Sequence, residues 1–313
     1  MTTLPSNMTP ATPGLEATSI GQKPVDPVQY HAVLLSIYSV VLLSGTIGIG
    51  LMAHILQSSM KSITTIAVLN LIFTHFLFLL TVPFRIYYHA NNHWGLGLGL
   101  CKIVSAMIHV HMYMSFIFYV IILVTRLMTF YRKAEQVEFY RKMHALAISV
   151  AVWMVVVVTV PCVLFFIYGK QDENDRSWHN YNSSSTHQTQ VTHCFQFGSQ
   201  IESANAAKVF NYAISIVIIV VATTLTVFQA NVLLILHREH GPGCTSQQEF
   251  WAQLKSLCFA LVMMVCFVPY HMFRLHYIGH LKLQAVNEVF LSLTTLTCLD
   301  MLTFVGRGVR LFV

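Results

Sequence analysis

The sequence predicts an all-α membrane protein, a seven-transmembrane helix bundle with its N-terminus on the extracellular side. Seven apolar stretches are spread over the 313 residues, and each is about as long as the ~20 residues that a helix needs to cross a bilayer. Hydrophobic residues make up 55% of the chain and charged residues 10%, whereas soluble domains average about 25% charged residues. Lipid offers the backbone no hydrogen-bond partner, so each crossing must be a helix.

Length and repetition define the spans, because a helix that is apolar all round looks the same in a membrane and in a large core. The predicted spans are 32–56, 63–88, 102–130, 145–168, 208–236, 252–278 and 285–306. They form one transmembrane domain over residues 31–306, after a Pro- and Thr-rich segment, 1–30, that is expected to be disordered and extracellular. Residues 307–313 are expected to form a very short cytoplasmic tail. The first span is expected to serve as the targeting signal.

Cations near the helix ends and two glycosylation sequons predict the orientation. Lysine and arginine accumulate in cytoplasmic loops. With the N-terminus outside, the second inner loop carries Arg132, Lys133, Arg141 and Lys142. The sequons that begin at Asn7 and Asn182 then both lie on the outer face, where glycosylation occurs.

Two of the seven cysteines are predicted to form a disulfide bond. Cys101, at the outer start of the third span, and Cys194, in the long outer loop 169–206, share an oxidising compartment. Cys244 lies in an inner loop and is expected to be reduced. The remaining cysteines fall within apolar spans, where an inert buried thiol is the default interpretation. These are Cys162, Cys258, Cys266 and Cys298.

No enzyme motif is present in the sequence. It contains no HExxH zinc motif, no GxSxG turn and no pair of membrane aspartates in separate spans. His109 and His111 suggest a metal site, but residues two apart on a helix point about 200° away from each other and cannot share one ion. Polar contacts between packed helices are the favoured interpretation. Neither a metal ion nor another cofactor is expected.

A transporter is also disfavoured. Transporter folds show paired interrupted helices in matching halves, and no such repeat is visible. Charges inside a span are costly and are usually functional. The few charges within the spans lie at helix ends and in the seventh span, without lining a continuous path. They are Arg85, Arg126, Arg274, Glu288 and Asp300.

Several motifs follow one another along the spans. A WxxGxxxC motif ends at Cys101, and Arg126 follows it 25 residues later, near the inner end of the third span. The sixth span carries Cys-Phe-Val-Pro-Tyr, in which Phe267 precedes Pro269 by two residues, and the proline is predicted to kink the helix. Asn70, Leu71, Pro83 and Trp153 complete the set. Over about residues 30–306 the chain resembles a rhodopsin-like (class A) G-protein-coupled receptor.

The resemblance implies a multi-pass plasma-membrane receptor, in which an extracellular ligand shifts the population of a helix bundle. Its implied partners are a heterotrimeric G protein on the cytoplasmic face, an unknown extracellular ligand and membrane lipids, with no nucleic acid. Arg126 occupies the position that contacts the G protein. Longer strings, such as CFVPYHMFR at 266–274, resemble an orphan branch similar to receptors for nucleotides, lipids and proteases.

Several positions depart from the family pattern. Thr125 stands where an acidic residue usually restrains the arginine, Phe267 where tryptophan is usual, and Ile49 where asparagine is usual. The seventh-span motif begins at Asp300 and lacks the family's proline. A divergent receptor-like protein that acts as a partner or scaffold, without conventional G-protein coupling, is therefore the alternative function.

His75 replaces the aspartate that binds sodium in the family. The resemblance implies that His75, Ser115 and Asp300 surround one polar site in the middle of the membrane. A buried unpaired charge would be very costly, so one hypothesis is that an imidazolium at His75 pairs with Asp300. The alternative is a neutral His75 that is hydrogen-bonded to Ser115 or to a water molecule.

Three cationic or polar residues are candidate ligand contacts: Arg85, His271 and Arg274. His271 and Arg274 are three residues apart and share one helix face. The resemblance to nucleotide-type receptors implies an anionic ligand, which suits the fork of arginine. Ile108 stands where amine receptors carry an aspartate, which argues against an amine.

Other ligands stay open at this stage: a peptide, a lipid, or no ligand at all. If the candidate cations do not bind a ligand, they have ordinary structural roles. Arg85 and Lys102 would extend towards the membrane interface, and Arg274 would pair with Glu288 or Glu202.

Overall fold

The computed structural model describes residues 27–56, 63–131, 149, 151–154, 194–195, 205–240, 248–280 and 283–301. Within these ranges every regular element is helical. Five helical segments within these ranges are long and apolar enough to cross a membrane. These candidate spans are Val28–Met52, Ile66–Asn91, Leu98–Tyr131, Lys208–Glu239 and Phe250–Tyr277.

The helices follow one another with short connections where the structure describes them. They are α1 (Pro27–Leu56), α2 (Ile63–Leu79), α3 (Val82–Asn91), α4 (Leu98–Tyr131), α5 (Asn205–His240), α6 (Gln248–Tyr277) and α7 (Gln284–Leu293), and a 3-10 helix, Thr294–Met301, follows α7. Residues 149 and 151–154 are helical and belong to the predicted fourth span, whose other residues lie outside the described ranges.

The second predicted span, 63–88, is broken rather than continuous. A turn at Leu80 and Thr81 separates α2 from α3, and the Thr81 amide donates to the Phe78 carbonyl at 2.8 Å. Pro83 follows in the first turn of α3. Because proline has no N–H and clashes with the carbonyl four residues earlier, it favours the start of a helix over its interior. The predicted span is therefore present as a candidate crossing, but it is built from two consecutive helices. By contrast, α6 continues through Pro269.

The seventh predicted span, 285–306, also differs from a single α-helix, because its helix type changes along its length. The α-helix ends at Leu293 and the chain continues as a 3-10 helix. Thr294, Thr295 and Thr297 donate their hydroxyls to carbonyls three residues earlier, at 2.6, 2.6 and 2.9 Å. Such local bonds compete with the α-helical ladder, and eight residues of 3-10 helix are unusually long for this form.

The bundle core lies where α1, α2, α4, α6 and the 3-10 helix meet. Tyr38, Met112, Tyr119, Phe267 and Met301 are all fully buried there. The outward faces are apolar instead of polar, as a lipid-facing surface requires. On α5 and α6 this surface includes Val217, Val220, Phe228, Leu261 and Val265.

Gly48 provides the close contact between α1 and the 3-10 helix. A Cβ atom at this position would lie 2.7 Å from the Met301 Cβ. We expect Gly48→Val to destabilise the protein by about 1–3 kcal/mol, because the two backbones must separate. Gly50→Val is the matched control, since nothing lies within 4 Å of its position. Thermal unfolding in detergent measures the effect, and equal melting temperatures for the two variants would contradict it.

Candidate functional site

A disulfide between Cys101 and Cys194 closes one end of the bundle, as the sequence predicted, with 5.9 Å between the two Cα atoms. We refer to this as the disulfide end, and to the opposite end of α4 as the Arg126 end. The WxxGxxxC motif explains the local fold. The Trp94 indole N–H donates to the Gly97 carbonyl at 2.7 Å, and Gly97 takes a positive φ of 85° that favours glycine.

A cavity of about 80 Å³ lies below the disulfide, and we call it the arginine cavity. Arg85 on α3, Arg274 on α6 and Glu288 on α7 contribute its charged groups. Its other lining residues are Ser105, Ile108, His109, Phe195, Tyr277, Gln284, Asn287 and Leu291. Two of the three predicted ligand contacts therefore meet at one site.

Arg85 is only 1% exposed, so the alternative in which its side chain extends to the interface was wrong. It donates to the Tyr38 hydroxyl at 3.2 Å and to the Val104 carbonyl at 2.9 Å. Its centre lies 4.5 Å from the centroid of the Phe195 ring. The buried Nε has no hydrogen-bond partner among the described residues.

Arg274 is held by neutral groups. Its Nε and one Nη donate to Asn211 Oδ1 at 3.2 and 2.7 Å, and the other Nη donates to the Tyr270 hydroxyl at 2.8 Å. The predicted alternative of a pair with Glu288 was wrong, because that carboxylate instead accepts a hydrogen bond from Tyr30. The other alternative partner, Glu202, lies outside the described residues.

Neither arginine of the cavity forms a described salt bridge. Among the carboxylates that the structure describes, none has an oxygen within 4.0 Å of either guanidinium. His271, the third predicted ligand contact, does not line the cavity. Its Nδ1 lies 3.1 Å from Ser215 Oγ on α5, and its ring is fully buried.

A second polar site lies deeper, where α2, α4 and the 3-10 helix meet. His75 Nε2 lies 3.5 Å from Asp300 Oδ1, so the structure brings these two side chains together. Tyr119 donates its hydroxyl to the other carboxylate oxygen, Oδ2, at 2.5 Å. Ser115 Oγ is buried and has no hydrogen-bond partner within the described part of the chain. The second neighbour of His75 is His111, which was not expected at this site.

His75 Nδ1 lies 2.8 Å from His111 Nε2, and Cys298 Sγ lies 3.5 and 3.6 Å from these two nitrogens. We call these three residues the His–His–Cys cluster. His109, two residues before His111, turns to the Ser105 carbonyl instead and lines the arginine cavity. Sequence reasoning missed the cluster because its members belong to three separate spans.

Phe267 connects the deep site to α6. Its ring centroid lies 6.2 Å from that of Tyr119 and 5.7 Å from that of Phe116. Pro269 follows in the same helix. Towards the other end of α4, Arg126 is partly buried beside Thr125. Hence a chain of contacts runs from Asp300 through Tyr119 to the sixth helix.

Asn70 and Trp153, two further motif residues, contact each other. The Trp153 indole donates to Asn70 Oδ1 at 2.8 Å, and the Asn70 amide donates to Ser149 Oγ at 2.9 Å. These bonds attach the described part of the fourth span to α2. Asn7 and Asn182 lie outside the described residues, as do residues 302–313. Glycosylation, the short tail and the orientation of the N-terminus stay predictions.

Comparison with known proteins agrees with this architecture. The sequence pattern of the 7 transmembrane receptor (rhodopsin family) matches residues 49–303. Human "Probable G-protein coupled receptor 141" is 41% identical over 288 residues, which cover 89% of each chain. Mouse "Probable G-protein coupled receptor 34" is 24% identical over 88% of this chain and 74% of its own. "Lysophosphatidic acid receptor 6" of Gallus gallus is 26% identical over 75% of this chain and 73% of its own.

The family match extends over most of the chain, from α1 to the threonine that follows the 3-10 helix by two residues. It accounts for the order of the motifs, the disulfide and the apolar outer surface. The proteins of this family are multi-pass receptors of the plasma membrane and are not enzymes. The chain therefore belongs to the rhodopsin family of seven-transmembrane receptors.

Proposed function

We propose that this protein is a G-protein-coupled receptor whose extracellular ligand carries an anionic headgroup, bound between Arg85 and Arg274. One observation carries the proposal. Two buried guanidiniums line one cavity, and no described carboxylate lies within 4.0 Å of either. Burying a cation without an anionic partner is costly. An arriving anion would remove that cost, and each arginine can offer it charge-assisted hydrogen bonds.

The size of the cavity limits the part of the ligand that it can hold. Its volume of about 80 Å³ is well below the roughly 300–1,000 Å³ of a site for a drug-sized molecule. A phosphate or carboxylate headgroup fits such a space, and the remainder of the ligand must lie outside it. Glu288 lines the cavity too, but two arginines against one carboxylate leave the charge of the lining positive.

The apolar part of the lining favours an amphiphile. Ile108, Phe195 and Leu291 surround the charged groups, and such a surface suits a glycerol or acyl segment more than a second charge. One of the relatives is named a lysophosphatidic acid receptor. Lysophosphatidic acid is therefore the first anionic amphiphile to test. His271 would act indirectly. Its contact with Ser215 would hold α6, which carries Arg274, against α5.

Signal transmission would run through the deep site to the Arg126 end. The ligand would bias α6 and α7, which both line the arginine cavity. The contacts from Asp300 through Tyr119 to Phe267 would carry this bias along the bundle. Arg126 would contact the G protein at the cytoplasmic face, with the N-terminus extracellular. This is a population shift between two packings of one bundle.

The test measures G-protein dissociation in cells that express the receptor, with lysophosphatidic acid and the neutral monoacylglycerol of the same chain length. We expect a response to the acid alone. Arg274→Ala and Arg85→Gln should each raise the half-maximal concentration by about 10- to 100-fold, which corresponds to the loss of a hydrogen bond to a charged group. Lys102→Gln is the matched control, since this cation is near the disulfide but does not line the cavity.

Two outcomes would count against the proposal. Dose curves that are unchanged in Arg274→Ala and Arg85→Gln would show that the arginines do not bind the ligand. An absence of G-protein dissociation with every anionic amphiphile, together with basal signalling that Arg126→Ala leaves unchanged, would favour the scaffold function. A receptor that couples normally should bind ligand after Arg126→Ala but no longer dissociate the G protein.

A further inference from the structure

The His–His–Cys cluster lies next to Asp300, which is 3.5 Å from His75, and its residues have no role in the proposed ligand site. His75, His111 and Cys298 are each at most 1% exposed. They are contributed by α2, α4 and the 3-10 helix. Their three potential donor atoms all lie within 4.8 Å of one another. We propose that this cluster is a binding site for a transition-metal ion of the Zn²⁺ class.

The distances fit such an ion closely. With Zn–N bonds of about 2.0–2.1 Å and Zn–S bonds of about 2.3 Å, tetrahedral geometry separates two nitrogens by about 3.3 Å and a nitrogen from sulfur by about 3.6 Å. The two nitrogen–sulfur distances here are 3.5 and 3.6 Å. The two nitrogens are 2.8 Å apart, so the imidazoles need to separate by only about half an ångström.

The surroundings of His75 provide an independent argument. In metal sites the ligating histidine almost always donates its other ring N–H to a carboxylate or a carbonyl, which fixes the tautomer. Here Nδ1 of His75 faces the cluster, while Nε2 faces Asp300 Oδ1 at 3.5 Å. The Tyr119 hydroxyl in turn holds the other oxygen of Asp300. Asp300 therefore lies where it would orient His75 towards an ion, once a shift of ~0.5 Å brings Nε2 and Oδ1 to hydrogen-bond distance.

The donor set selects the type of ion. Two imidazoles and a thiol suit Zn²⁺ and other borderline or soft ions, whereas Na⁺ and Mg²⁺ prefer oxygen ligands. Binding converts the Cys298 thiol to a thiolate and releases its proton to solvent. Three protein ligands leave one tetrahedral position for a water molecule. Ser115 lies one turn from His111 on the same face of α4, where its buried Oγ could bond that water.

A bound ion would add a direct link between three spans that already meet through the His75–Asp300 and Tyr119–Asp300 contacts. The 3-10 helix would be tied to α2 and α4 next to Asp300, in the contact chain that leads to Phe267. Any change of the bundle that shifts these helices against one another would have to break a metal–ligand bond. The ion would therefore stabilise the arrangement described here, at a site separate from the arginine cavity.

The experiment purifies the full-length receptor in detergent and measures its metal content by mass spectrometry, before and after incubation with Zn²⁺ and removal of the excess. We expect one equivalent of zinc and a rise in melting temperature of at least about 5 °C over the chelator-treated protein. Cys298→Ser should lose both. Cys266→Ser is the matched control, because this thiol is also free and buried but lies outside the cluster.

Equal zinc content in wild type and Cys298→Ser would overturn the proposal, and so would a wild type that binds no zinc. A third measurement needs no variant, in case Cys298→Ser does not fold. X-ray absorption of the zinc-loaded wild type should show two imidazole nitrogens and one sulfur in the first shell. A shell of nitrogen and oxygen without sulfur would assign the ion to surface histidines and reject the site.

Discussion

Replacing Asp300 with alanine is expected to destabilise the receptor by about 3–5 kcal/mol, the range for removing one partner from a buried charged pair. The carboxylate is 1% exposed and lies between the Tyr119 hydroxyl at 2.5 Å and His75 Nε2 at 3.5 Å. Alanine leaves both groups buried without this partner. Thermal unfolding in detergent should show a fall in melting temperature well beyond that of the surface-facing variant Gly50→Ala.

The amide variant Asp300→Asn distinguishes the two charge states proposed for His75. Asparagine can still accept the Tyr119 hydrogen bond but carries no charge. If His75 is an imidazolium, asparagine leaves an unpaired buried cation and destabilises nearly as much as alanine. If His75 is neutral, Asp300→Asn should keep most of the stability that Asp300→Ala loses, because asparagine can still form hydrogen bonds to its neighbours.

A double-mutant cycle gives the same distinction with a second readout. His75→Leu combined with Asp300→Leu removes both partners, and replacing a buried ion pair by apolar groups is often neutral. The double variant should then be more stable than either single variant if the pair is ionic. If the fall in melting temperature of the double variant equals the sum of the falls of the two single variants, the pair is not ionic. An Asp300→Ala protein as stable as Gly50→Ala would contradict the whole prediction.

The sequence was sufficient for the bundle, since hydrophobicity over ~20 residues is a local property. The Cys101–Cys194 bridge also followed from local placement, because Cys101, at the start of the third span, and Cys194, in the long outer loop, were predicted at the same end of the bundle. The break before Pro83 was in principle visible, because proline disfavours the helix interior. The 3-10 helix was not, since its three threonine back-bonds depend on side-chain rotamers that compete with the α-helical ladder.

The contacts between spans could not be deduced from the sequence. Each residue turns a helix by about 100°, so a one-residue error in register moves a side chain to another neighbour. Cys298 was interpreted as an inert thiol, yet it lies 3.5 Å from His75, which is 223 positions away. An ion pair of Arg274 with Glu288 was one of two alternatives, but Glu288 instead accepts a hydrogen bond from Tyr30, 258 positions away. The family resemblance predicted the neighbourhood of His75 and Asp300 because it supplied the helix packing.

Removing the disulfide by Cys101→Ala and Cys194→Ala is expected to lower both the stability and the ligand response. The bridge joins residues 93 positions apart. For a loop of this length, loop-closure entropy gives about 4–5 kcal/mol. This is an upper bound, because spans that stay helical in detergent keep the unfolded chain partly ordered. Reducing the wild type should reproduce the fall in melting temperature, whereas Cys266→Ser, a buried free cysteine, should not.

The effect on the response follows from Phe195, the neighbour of Cys194. Its ring lies 4.5 Å from the Arg85 guanidinium, and its carbonyl accepts from Gln284 at 3.4 Å. Without the bridge this ring is no longer held over the arginine cavity, so water can reach and screen the guanidinium, which weakens its attraction for an anion. Phe195→Ala separates the two effects, because it keeps the disulfide and removes the cover. It should raise the half-maximal ligand concentration although the bridge is intact, and its fall in melting temperature should be that of a lost buried ring. A normal response in the reduced receptor would show instead that packing alone holds Phe195 in place.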